Sequence, residues 1–175
     1  MSVYIISDIS FNDVNNAGSE ASLDRYNAAL IKQWNSVISD GDEVLVFGNF
    51  ARGNGTTIRG IIEKLKGNIF IVQHQYNNFF DRKRWKKYGI YMVWNCSCCY
   101  SFDDKNNQKH KVYFPIEEKV INPETYEYIC VGEKYMDEVI HNNILNIGAK
   151  YWNYTPIKLN ELPNIFERMR GFKEV

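Results

Sequence analysis

The chain has 175 residues, 45% of them hydrophobic and 15% aromatic, enough for one substantial core; no apolar run reaches the roughly 18 residues that a membrane-spanning helix needs. Twenty-one basic and twenty-one acidic side chains cancel, so no global field draws nucleic acid or an anionic membrane, and any such contact has to be local. The opening Met1-Ser2-Val3-Tyr4 goes directly into a strand-like run without the basic and apolar regions of a secretory signal, so a cytoplasmic protein of one domain, residues 1–175, is expected.

The first apolar run, Val3-Tyr4-Ile5-Ile6, ends in short polar residues at Ser7, Asp8 and Ser10 and predicts a buried strand. Phe11 to Ser22 is rich in Asn, Asp, Gly and Ser and predicts a loop. A helix is expected from Ser22, as cap, to Ile38, because Leu23, Tyr26, Ala29/Leu30, Trp34 and Val37/Ile38 recur on one face. Ser39-Asp40-Gly41-Asp42 ends it. A second strand follows at Val44-Leu45-Val46-Phe47, and Gly48 then lets the backbone turn sharply with Asn49 at the strand exit. Gly53 to Thr57 leads into a second helix, Thr57 to Leu65, closed by Lys66-Gly67-Asn68, and Ile69-Phe70-Ile71-Val72 is a third strand, followed by Gln73-His74-Gln75-Tyr76. Two strand–helix–strand units in succession imply parallel pairing. Ligands in open α/β sheets are held at the carboxyl ends of such strands, which places the three polar clusters for chemistry.

Phe79 to Tyr88 carries Arg82, Lys83, Arg84, Lys86 and Lys87 around Trp85. Its two readings are a weak nucleic-acid contact and a short solvated helix with Trp85 packed inward. Ile90 to Phe102 and Lys109 to Phe114 predict two strands joined by a turn at Asp103 to Asn107, and Tyr126 to Val131 a further one. Tyr135 to Asn142 is expected to be short helix or irregular chain. Ile144 to Gly148 and Tyr151 to Tyr154 are expected as closing strands, with a final helix from Leu159 to Arg170. Cys96, Cys98, Cys99 and Cys130 lack the paired spacing of a structural zinc site and fit free thiols; Cys98 and Cys99 have no identifiable basic partner for nucleophilic work. His110 and His141, on hairpin and loop segments, receive no role. No phosphate loop, nucleophile elbow or dinucleotide fingerprint occurs.

The strand-end text Asp8-Ile9-Ser10, Gly48-Asn49-Phe50, Gln73-His74-Gln75-Tyr76, Tyr113-Phe114-Pro115 and Gly132-Glu133-Lys134-Tyr135 resembles, in order and spacing, the calcineurin-like metallophosphoesterase family, especially its small bacterial and phage-type members. Leu30 to Val37 and, most specifically, Asn146 to Pro156 add to the likeness, which covers nearly the whole chain. The resemblance implies an α+β sandwich, two mixed β-sheets packed face to face and flanked by helices. It also implies two divalent metals at the strand ends, bridged by a carboxylate and by a hydroxide that attacks a phosphate ester.

The ligand positions depart from that pattern. Asp8 keeps a carboxylate, but Ser10 stands for a His, Asn49 for the bridging Asp, Gln75 for the proton-donating His, and Tyr113, Glu133 and Tyr135 for three metal-binding His residues. An amide carries no charge with which to bridge two cations and does not titrate near neutrality. The expectation is a degenerate, catalytically inactive member that acts as a binding or interaction module without a cofactor, its former groove lined by Asp8, Ser10, Asn49, His74, Gln75, Tyr113, Glu133 and Tyr135. The alternative is an active phosphoesterase with a rebuilt site, in which Asp8, Asn49, His74 and Glu133 hold Mg²⁺ or Mn²⁺.

Overall fold

The computed structural model describes residues 1–72, 82–94, 97–115 and 123–171. Among the described residues, ten strands form two five-stranded sheets. In the first, β1 (Val3–Ser7), β2 (Glu43–Phe47), β3 (Asn68–Val72) and β4 (Met92–Trp94) run parallel in that order, and β10 (Ile157–Lys158) pairs antiparallel with the outer side of β1. The second takes β5 (Cys98–Asp103), β6 (Lys109–Phe114), β7 (Tyr128–Val131), β9 (Ile144–Asn146) and β8 (Ile140–His141) in the order β5-β6-β7-β9-β8. Its outer pairs are antiparallel and its central pairs parallel, so both sheets are mixed. The α+β sandwich expected from the sequence is the architecture found.

Alternation along the parallel strands divides the core in two. Tyr4, Ile6, Val44, Val46, Ile69 and Ile71 face the helices α2 (Leu23–Val37), α3 (Gly55–Ile62) and α4 (Arg82–Lys87), meeting Leu30, Trp34, Ile58, Ile61, Ile62 and Trp85. Ile5, Leu45, Phe47 and Val72 face the second sheet and meet Val112, Phe114, Cys130 and Leu145. Helix α5 (Leu162–Gly171) adds Leu162, Ile165 and Phe166 to that inter-sheet layer. Across it the rings of Phe47 and Phe114 stack with centroids 4.3 Å apart. Burial pushes the Cys130 thiol up, so it stays protonated as a small apolar residue. Among the described residues, no helix is long and apolar enough to cross a membrane.

The local chemistry of several elements differs from expectation. Ser22 makes no side-chain cap; the chain enters α2 through a 3₁₀ turn, Glu20–Ser22, with the Ser19 and Ser22 hydroxyls 2.9 Å apart. The loop before it holds a short helix, α1 (Val14–Ala17), capped by Asp13, which accepts from the Asn15 N–H at 3.0 Å. Helix α3 starts at Gly55 because the Asn54 side chain accepts from the Thr57 N–H. The single strand expected over Ile90 to Phe102 is split between the sheets. Met92–Trp94 pairs parallel with β3, whereas Cys98–Asp103 pairs antiparallel with β6, and a run of strand-forming residues carries no mark of that exchange.

Tyr151 to Tyr154 is no strand. Ala149–Trp152 is a 3₁₀ turn, and Asn153 and Tyr154 follow with φ of 49° and 56°. Aromatic strand propensity loses there to hydrogen bonds from Tyr151 N to Gly148 O and from Tyr154 N to Ala149 O. His110 sits on β6, within the hairpin strand expected from Lys109 to Phe114: it is buried, with Nδ1 2.6 Å from a Glu127 carboxylate oxygen and Nε2 3.6 Å from Asp104. His141 lies on β8, exposed.

Two outcomes test this packing. Phe47→Ala removes one half of the inter-sheet stack and is expected to cost about 3 kcal/mol in urea unfolding. The buried Asp42 carboxylate meets opposing effects: burial raises its pKa, but the N–H groups of Ser39 and Ser2 outweigh this, and the net shift is downward. A depressed folded pKa gives stability that is present above the ordinary carboxylate pKa and lost as pH falls through the folded value. Acid titration of Asp42→Asn should therefore show a smaller loss of stability in that window than the unchanged chain.

Candidate functional site

The carboxyl ends of β1 and β2 and the loops after β7 and β9 close around one carboxylate. Asp8 leaves β1 with φ of 54°, which turns its side chain back against Gly48. A Cβ on Gly48 would stand 2.3 Å from Asp8 Oδ1, and one on Gly132 would stand 2.7 Å from Oδ2, so both approaches require glycine. Into that space come four donors. The Asn49 N–H (3.0 Å) and Asn49 Nδ2 (3.3 Å) bond Oδ1; the Ser7 hydroxyl (2.6 Å) and the Glu133 N–H (3.3 Å) bond Oδ2.

Beside Asp8 is a cleft of about 140 Å³ lined by Asp8, Ser10, Asn16, Asn49, Glu133, Lys134, Lys150 and Tyr154. Lys150 Nζ is 3.2 Å from Glu133 Oε2 and 4.9 Å from the Tyr151 ring centroid. The hydrogen bond to Glu133 raises the Lys150 pKa, which holds the ammonium charged. Tyr26 closes the wall behind Ser10: its hydroxyl donates to Ser10 O at 3.4 Å, and its ring meets Tyr154 edge-on at 6.4 Å. Burial, followed by the Tyr154 hydroxyl, pushes the Tyr26 phenol up to about 12. It is a neutral hydrogen-bond donor at ordinary pH.

Backbone strain collects here. Asp8, Ser10 and Tyr154, three of the cleft residues, have φ of 54°, 50° and 56°, and Asn12 and Asn153 beside them have 57° and 49°. Each left-handed non-glycine residue costs on the order of 1 kcal/mol and persists where the surroundings over-determine it, typically at a binding or catalytic site. Asn146 supplies part of that determination. Fully buried, it donates to Met136 O (2.6 Å), accepts from the Gly148 N–H (2.9 Å), and its carbonyl accepts from Trp152 Nε1 (2.8 Å). The turn that carries Lys150 is thereby fixed against the loop that carries Glu133.

Of the residues singled out from the sequence, Asp8, Ser10, Asn49 and Glu133 meet at this cleft. Tyr113 does not line it: on β6 it alternates with the buried Val112 and Phe114, and its ring stacks on Tyr126 at 4.2 Å. Tyr135 lies in the turn after Gly132 and is also absent from the lining. His74 and Gln75 lie outside the described residues. Sequence reasoning missed Asn16, Lys134, Lys150 and Tyr154. Lys150 and Tyr154 fall inside the Asn146 to Pro156 segment, whose text was the most specific part of the family resemblance.

Among the described residues, the donor set does not suit a pair of dications. Asp8 already takes four donors, position 49 offers an amide, and the Glu133 carboxylate is neutralised by an ammonium. Among the described residues, no three of His, Cys, Asp and Glu are grouped to hold a metal. Asn49 accounts for how the site closes. A carboxylate in its place would face Asp8 Oδ1 at about the 3.3 Å of the present hydrogen bond, and like charges that close need a cation between them. Asn49→Asp should lower stability by about 2 kcal/mol at neutral pH. Part of that loss should return in millimolar Mn²⁺, read by chemical denaturation with and without the ion, while the unchanged chain shows no such dependence.

No family model matches the chain. It is 22% identical over 178 aligned positions to the uncharacterized protein MJ1445 of Methanocaldococcus jannaschii, covering 95% of this chain and 92% of that one. The crystal structure of AQ665, a protein of unknown function from Aquifex aeolicus, superposes with a TM-score of 0.62 at 15% identity, over 94% of this chain and 98% of that one. At that identity, what is shared with AQ665 is the α+β sandwich fold.

Proposed function

We propose that the chain is a metallophosphoesterase-like scaffold that binds a small polar ligand in the Asp8 cleft and does not hydrolyse phosphate esters. The observation that carries this reading is the Asp8 carboxylate, whose two oxygens are engaged by Asn49, Ser7 and Glu133 and are unavailable as a bridging metal ligand. The cleft that remains offers the Lys134 ammonium and that of Lys150, shared with Glu133, together with Ser10, Asn16 and Asn49 as neutral hydrogen-bonding groups. That combination suits a ligand with an anionic end and hydroxyl or amide groups. The strained backbone at Asp8, Ser10 and Tyr154 supports a role in recognition, since strain is retained where geometry matters.

A second reading keeps the chemistry. Asp8 and Glu133 lie close enough for the Glu133 N–H to reach Asp8 Oδ2 at 3.3 Å, and displacement of Lys150 from Glu133 would leave two carboxylates for one Mg²⁺ or Mn²⁺ ion. One experiment separates the two. The purified chain is analysed for metal and offered an aryl phosphodiester in Mn²⁺, Ni²⁺ and Zn²⁺, with Asp8→Ala as the blank. Binding is followed as thermal protection by the same ester without metal. The binding reading expects under one metal ion per chain, no turnover above the Asp8→Ala blank, and protection that Lys150→Ala abolishes. Stoichiometric metal with turnover that disappears in Asp8→Ala would replace it with the enzymatic reading.

A further inference from the structure

The Lys150 ammonium is already engaged before any ligand enters the Asp8 cleft. It stands 3.2 Å from Glu133 Oε2, and that hydrogen bond raises its pKa and keeps it charged. The two side chains retain 49% and 27% of their exposure, so an entering ligand meets the pair directly. Both residues are positioned by contacts other than the ion pair. Glu133 is held by its N–H on Asp8 Oδ2 and by packing on Gly148, where a Cβ would collide with Glu133 Cγ. Lys150 belongs to the 3₁₀ turn that Asn146 anchors through the Gly148 N–H and the Trp152 indole. A half-exposed ion pair adds little to stability, so its consequence lies in what the cleft can bind.

Among the described residues, the lining holds two carboxylates, Asp8 and Glu133, and two ammonium groups, Lys134 and Lys150, whose formal charges cancel. An anion that reaches Lys150 comes close to Glu133 as well. Both the attraction and the repulsion grow in proportion to the charge of the ligand, so the pair offers a dianion no more than it offers a monoanion. The dianion loses more hydration on entry and finds no net positive charge to offset it.

We propose that Glu133 sets the selectivity of the Asp8 cleft: by holding Lys150 it admits singly charged anions and rejects doubly charged ones. The inference rests on the binding reading of the cleft and names the ligand class within it, a monoanionic head group with hydrogen-bonding oxygens. Glu133→Gln is the informative change. It keeps the backbone N–H that bonds Asp8 and the side-chain length that packs on Gly148, and removes the charge.

The test uses two tetrahedral probes that differ in charge, methanesulfonate with one and sulfate with two, titrated into the full chain at constant ionic strength and followed by amide chemical shifts. The unchanged chain should bind methanesulfonate more tightly, by about fivefold. In Glu133→Gln, methanesulfonate should gain about fivefold and sulfate about 25-fold, the square, because the Coulomb energy doubles with the ligand charge. The hydration of each anion is the same in both chains, so the change in the ratio reports on Glu133 alone. Lys150→Ala should lose both probes. Glu63→Gln, which removes the same charge at the end of α3, should leave both affinities unchanged, and thermal unfolding of each variant confirms that it is folded. An unaltered ratio in Glu133→Gln, with Lys150→Ala still abolishing binding, would overturn the selectivity and leave the cleft as a binding site. Shifts confined to residues outside the cleft, or none in any chain, would overturn both.

Discussion

Three chain segments converge on one carboxylate. Asp8 takes its donors from the strand before it, from the turn after β2 and from the turn after β7, so its two oxygens tie the first sheet to the second at their shared end. Charge-assisted hydrogen bonds in a half-buried setting are worth about 1.5–3 kcal/mol each, more than neutral ones. They offset the left-handed backbone that Asp8 and Ser10 adopt to bring the carboxylate inward. The glycines at 48 and 132 are the steric condition for this, since any side chain there would occupy the place of a carboxylate oxygen.

The electrostatics of the cleft follow from that closure. Glu133 is paired with Lys150, the Asp8 carboxylate is held by uncharged donors, and Lys134 balances its charge, so the lining has little of the negative potential that concentrates divalent cations. The same reasoning explains the amide at position 49. An Asn can donate to Asp8 where an Asp could only repel it, so the amide lets the site close by hydrogen bonds of the chain itself. The Phe47–Phe114 stack and the two apolar layers support it from within.

The sequence carried the parallel core of the first sheet well. Val3 to Ile6, Val44 to Phe47 and Ile69 to Val72 are continuous apolar runs, and burial on both faces is what such runs mean. The polar clusters at the ends of the first two strands were legible for the same reason, and Asp8, Ser10 and Asn49 do lie together. Less was legible where a segment's role depends on distant partners. Tyr113 read as a groove residue by its place in a motif, but strand alternation sends it to the face opposite Val112 and Phe114. Tyr151 to Tyr154 read as a strand by composition, but the Asn146 backbone carbonyl holds the Trp152 indole and the segment winds into a turn.

Periodicity and composition by themselves determined the buried strands, their parallel pairing and the inward face of α2, because each depends on spacing along the chain alone, whereas the two-sheet sandwich was what the family resemblance implied. The tertiary structure decided which groups face each other. Only contacts between residues 8, 49, 133 and 150 show that the Asp8 carboxylate is already filled and that Lys150 stands beside Glu133. Such contacts join residues up to 125 positions apart, a separation that no local pattern encodes.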